Sequence, residues 1–101
     1  MRIDNCTLES RELHQQAGRY RRLGAAAIQV ERDDQRLVIT FGPGLDQELL
    51  NEALAVERRC CAFLDLGYGP SERRLSIWAE KPRGVEALDA IRSAITGPNP
   101  A

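Results

Sequence analysis

Lysine is nearly missing from this chain. Lys81 is the single lysine among 14 basic residues, 15 acids oppose them, and the formal net charge is -1. That balance removes the broad positive field on which sequence-independent nucleic-acid binding depends. The arginines are also interleaved with acids, as in Glu31-Arg32-Asp33-Asp34 and Glu72-Arg73-Arg74, a pattern that describes a solvated surface rather than a basic groove. No nucleic-acid role is expected of the chain by itself. Long apolar runs are missing too: no stretch approaches the roughly 18 residues of a membrane span. Met1-Arg2-Ile3-Asp4-Asn5 has no apolar core of the signal-peptide kind, so the expectation is no membrane and a cytoplasmic location. Cysteine is scarce, with three residues of which two are adjacent. An odd, clustered set is a poor disulfide framework and suits a reducing compartment where thiols stay free.

What is present suffices for one core. With 101 residues and 43% hydrophobic content, residues 1–101 read as a single domain, with 98–101 a frayed tail. Ser10 precedes an amphipathic run in which Leu13, Ala17, Tyr20 and Leu23 recur at helical spacing, giving a first helix. Ala26, Ile28 and Val30 alternate with Gln29 and Glu31, and beyond the turn Asp33-Asp34-Gln35 the residues Leu37, Ile39 and Phe41 alternate with Val38 and Thr40; period two on both sides of a turn predicts a hairpin. Gly42-Pro43-Gly44 ends it. A second helix is expected from about Leu45 to Leu64, with acids in its first turn complementing the dipole. Its apolar face would be Leu49, Leu50, Ala53, Leu54, Val56, Cys60, Phe63 and Leu64. A second hairpin follows, beginning at Leu66 and Tyr68, turning at Gly69-Pro70-Ser71-Glu72 and returning through Leu75, Ile77 and Ala79. Val85, Leu88, Ile91 and Ile95 form a third helix closed by Gly97 and Pro98. The order α-ββ-α-ββ-α predicts an α+β fold of two ββα halves sharing one antiparallel sheet, with the helices on one face.

The chemically distinctive segment is Glu57-Arg58-Arg59-Cys60-Cys61-Ala62-Phe63-Leu64. On a helix the two thiols diverge, Cys60 following Leu49, Ala53 and Val56 toward the core and Cys61 following Leu50, Leu54 and Glu57 along the next stripe. Glu57 reaches both, at i+3 and i+4. Cys6 lies just before the first helix, whose N-terminus favours a thiolate. Were that segment to cross the end of the second helix, three sulfurs would converge, and soft thiolates select Hg(II), As(III) or a similar thiophile over Mg(II) or Ca(II). Free cysteine is also among the commonest core-filling residues, and packing is the competing role, for Cys60 above all. Zinc has less support, because Cys-x2-Cys spacing is missing and the sole histidine, His14, is expected in solvent. Asp65 stands near the thiols as an acid or base, or as a plain solvated carboxylate. Trp78 alternates out of phase with Leu75 and Ile77, which puts it on the sheet face without helices, where with Val38 it would offer a small patch for pairing of two copies.

Cys6-Thr7-Leu8, the Arg-rich first helix, Glu57-x-x-Cys60-Cys61-x-Phe63-Leu64 and the closing Leu75-x-Ile77 before Pro82-x-Gly84 together resemble a family of small bacterial proteins over nearly the full length. Members look like stand-alone versions of a domain also attached to regulators of the mercury-resistance type. The resemblance implies a heavy-metal or metalloid response, with Cys60 and Cys61 as functional thiols, Cys6 as the third and Glu57 as the supporting acid. The repeated ββα order is also similar to the core plan of organomercurial lyases, an analogy of fold alone. Three readings stand at this point: non-enzymatic binding of a soft metal ion, a thiol enzyme acting on organometal or disulfide substrates, and an interaction domain with packing cysteines.

Overall fold

Alternation at period two and recurrence at 3.6 residues produce seven elements, which the computed structural model describes over residues 10–60, 64–79 and 82–96. They are α1 (Ser10–Gly24), β1 (Ala27–Arg32), β2 (Arg36–Phe41), α2 (Gln47–Cys60), β3 (Leu64–Gly69), β4 (Arg74–Ala79) and α3 (Pro82–Thr96). All strands pair antiparallel in the order β1-β2-β4-β3. The two hairpins therefore meet through their second strands, with Leu37 opposite Ile77 and Ile39 opposite Leu75. This is the expected α+β architecture.

One sheet face carries Leu37, Ile39, Phe41, Leu64, Leu75, Ile77 and Ala79, all buried against the helices. Against it α3 lies on β4, β2 and β1, α2 lies on β3, and α1 packs on both other helices. Tyr20 and Leu23 of α1, Leu50, Ala53 and Leu54 of α2, and Leu88, Ile91 and Ile95 of α3 complete the core. The backbones of α1 and α3 come close where α1 ends: a Cβ on Gly24 would collide with the Ile95 carbonyl oxygen. Only glycine permits that approach. At the β3–β4 turn Arg73 takes a left-handed backbone, φ 53°. Its carbonyl accepts from Phe41 N–H at 2.8 Å and its Nε donates to Phe41 O at 3.2 Å, contacts that hold a conformation otherwise unfavourable for a side chain with Cβ.

Among the described residues no helix covers the other face. Trp78 stands there 46% exposed, as its alternation predicts, with the Arg36 guanidinium 5.1 Å from its ring centre. Two expectations need correction. Helix two does not reach Leu64, which is the first residue of β3 and pairs with Ala79. Phe63-Leu64 prolongs the i+3/i+4 spacing from Cys60, so periodicity alone had no reason to stop there. Val38 adds nothing to an exposed patch either, being only 8% exposed. It occupies an inner strand between Glu31 and Ser76, so alternation alone does not decide its exposure. The expected tail at 98–101 lies outside the described residues.

Candidate functional site

The helix carrying the distinctive segment starts at a built cap. Asp46 Oδ1 accepts from Leu49 N–H at 3.1 Å, satisfying one of the donors a helix N-terminus leaves free. From there the buried stripe runs Leu50, Ala53, Leu54, Glu57, while Leu49 and Val56 are half-buried. Leu49 and Val56 thus border the helix face, and the stripe containing Glu57 is its centre. Glu57 is a carboxylate in a core position, only 5% exposed.

A buried carboxylate is tolerable only with hydrogen-bond donors around it. Helix α1 supplies two. Tyr20 Oη donates to Glu57 Oε2 at 2.9 Å and Gln16 Nε2 donates to the same oxygen at 3.1 Å. Gln16 is itself fully engaged: its amide also donates to Ala53 O at 2.8 Å, and its Oε1 accepts from Arg19 Nη1 at 2.7 Å. Arg19 in turn faces Glu52 at 3.8 Å. The result is a hydrogen-bonded relay, Arg19 to Gln16 to Glu57, that gives the buried carboxylate a fixed donor. Gln16 was missed in the sequence because it is polar. Its place in the run Leu13, Gln16, Tyr20, Leu23 was the available signal, since those spacings of three and four residues mark one helix face.

The same contacts orient the helices. Arg22, near the end of α1, lines a crevice with Asp46, Glu48, Leu49 and Glu52 at the start of α2, Arg19 meets Glu52, and Gln16 meets Ala53 and Glu57. Moving back along α1 means moving forward along α2, so the pair is antiparallel. The N-terminal turn of α1 and the last turn of α2 share one end of the molecule. Arginines at the end of α1 meet acids at the start of α2, an arrangement both helix dipoles favour.

Of the residues singled out in the sequence, Glu57 is buried and bound to α1, and Cys60 closes α2 as described. Cys6 and Cys61 lie outside the described residues. His14 is exposed on α1, as expected. Asp65 is exposed on β3 and faces Trp78 across the open sheet face, away from the helices. Among the described residues no group of three or more His, Cys, Asp or Glu side chains is arranged to hold a metal ion, and no helix is long and apolar enough to cross a membrane. The fold and the buried carboxylate define a small α+β protein with a polar relay at a helix–helix contact. Comparison with protein-family models, with curated proteins and with solved structures finds no match to the chain.

Proposed function

We propose that the protein is a non-enzymatic thiol module for a soft heavy-metal or metalloid ion of the Hg(II) or As(III) type. Cys60 and Cys61 would be its thiolate ligands, Cys6 a third, and Glu57 the carboxylate that supports them from one turn earlier. The observation that carries this reading is the antiparallel α1–α2 contact. It sets the start of α1, which Cys6 precedes by four residues, at the same end of the molecule as Cys60. The relay through Gln16 and Tyr20 also keeps an acid fixed beside the thiol segment at no cost in exposed charge. Soft ions prefer sulfur to oxygen, so a set of cysteine ligands would favour such an ion over Mg(II) or Ca(II).

The test is titration of the reduced protein with Hg(II), and separately with As(III), while counting free thiols. One ion per chain with loss of two or three thiols, reduced by Cys60→Ser or Cys61→Ser, is the expected result. Native thiols that resist every alkylating reagent, with no ion taken up, would leave packing as their role. A thiol enzyme is the alternative, and turnover of an organometal or disulfide substrate would establish it. The interaction-domain reading draws on Trp78, whose exposure on the uncovered face suits contact with a second copy.

A further inference from the structure

We infer that the outer edge of β3 is a self-association surface, on which a second copy of this chain adds its own β3 antiparallel across a two-fold axis through Gly67. The two edges of the sheet differ in how they are defended. β1 has a register irregularity between Ala27 and Gln29 and an arginine, Arg32, on the helix-side face, where it donates to Asp89 at 3.1 Å and reaches the Val85 carbonyl at 3.4 Å. Bulges and inward charges of this kind discourage further strand pairing. β3 has neither. It is in unbroken register with β4 from Leu64 to Gly69, carries no Pro, Lys or Arg, and pairs with no other described strand.

The hydrogen-bond phase shows what β3 offers. Ala79 N–H donates to Gln35 O and Phe41 N–H to Arg73 O, so β4 residues 73, 75, 77 and 79 bond toward β2 and residues 74, 76 and 78 toward β3. Through the register, Asp65, Gly67 and Gly69 then use their backbone groups on β4. Leu64, Leu66 and Tyr68 point theirs outward. A two-fold at Gly67 sets Leu66 opposite the partner's Tyr68 twice, pairing outward-facing backbones with each other and an aliphatic with an aromatic side chain. On the open face Gly67 meets Gly67 of the partner subunit and Asp65 meets the partner's Gly69, which keeps the two acids apart. Gly67 and Gly69 have nothing within 4 Å of a built Cβ, which leaves room on the open face where they meet the partner's residues. The defended β1 edge ends growth at two copies, giving a closed dimer rather than a fibre.

The experiment is sedimentation of the reduced full chain over a concentration series up to about 500 μM, the range in which small interfaces of this kind assemble. Wild type should show a monomer–dimer equilibrium. Gly67→Lys places like charges opposite each other at the axis and should raise the dissociation constant at least about tenfold. Gly67→Val, with better strand propensity, should lower it. Circular dichroism checks that each variant is folded, and should the lysine variant fail to fold, the valine variant decides alone. A wild type that stays monomeric throughout, a dimer indifferent to both substitutions, or one abolished by Trp78→Ser but not by Gly67→Lys would each overturn the inference, the last by moving the contact to the open face.

Discussion

Replacing Tyr20 by Phe isolates the α1–α2 relay with almost no change in shape. The ring stays in the core, where Tyr20 is 2% exposed, and the 2.9 Å bond to Glu57 Oε2 is lost. A hydrogen bond to a charged group contributes about 1.5–3 kcal/mol, so the expected loss of stability is about 2 kcal/mol. For a chain of this size that lowers Tm by about 10 °C, taking roughly 4–8 °C for each kcal/mol. Urea unfolding followed by circular dichroism reads the change, with the denaturant slope unaltered if the folded and unfolded states keep their compactness. The decisive measurement is the cycle with Glu57→Leu. Once the carboxylate is gone, the Tyr20 hydroxyl has lost that acceptor, and Tyr20→Phe should cost less than in the wild type by about the 1.5–3 kcal/mol of that bond. The coupling energy is then about 1.5–3 kcal/mol, whereas distant, independent sites add to within about 0.5 kcal/mol. If Tyr20→Phe costs the same in both backgrounds, the relay does not stabilise the helix pair, and Glu57 is not held from α1.

Two further predictions concern the backbone. Gly24→Ala drives a Cβ into the Ile95 carbonyl and should cost about 2–3 kcal/mol by prising α1 from α3, while Gly18→Ala, with nothing within 4 Å of its Cβ, should gain about 0.5–1 kcal/mol; equal effects in thermal unfolding would contradict the close approach. At the β3–β4 turn, Arg73→Val puts a β-branched residue at φ 53° and removes the Phe41 contact. It should destabilise by about 2–3 kcal/mol, and Arg73→Gly, which loses the contact but relieves the backbone, by less than half as much. Indifference to which of the two is present would show that the left-handed conformation carries no strain.

The order of helices and hairpins was legible because each element states its own period, and because Asp33-Asp34-Gln35 and Gly69-Pro70-Ser71-Glu72 mark the two turns without ambiguity. Trp78 was legible for the same reason, its face following from alternation against Leu75 and Ile77. The end of α2 was not, since Leu64 satisfies helical spacing from Cys60 and strand alternation toward Leu66 equally well. What decided it was the pairing of Leu64 with Ala79, a contact between distant parts of the chain that no local window contains. Val38 failed differently: alternation gives the face of a residue but not whether its strand is inner or edge. The relay was half-visible. Glu57 stood in the right segment, but its donors come from α1, and a glutamine among leucines announces a buried partner only after the partner is found.

The junction of β2 with β4 governs how this chain can come together. Each hairpin closes a short loop, yet the two are joined into one sheet only when Leu37 finds Ile77, far along the chain. Loop-closure entropy must be met there before burial repays it, a cost that neither hairpin meets alone. Until they pair, β2 and β4 are edges with unmatched backbone groups, and the finished sheet hides both of them.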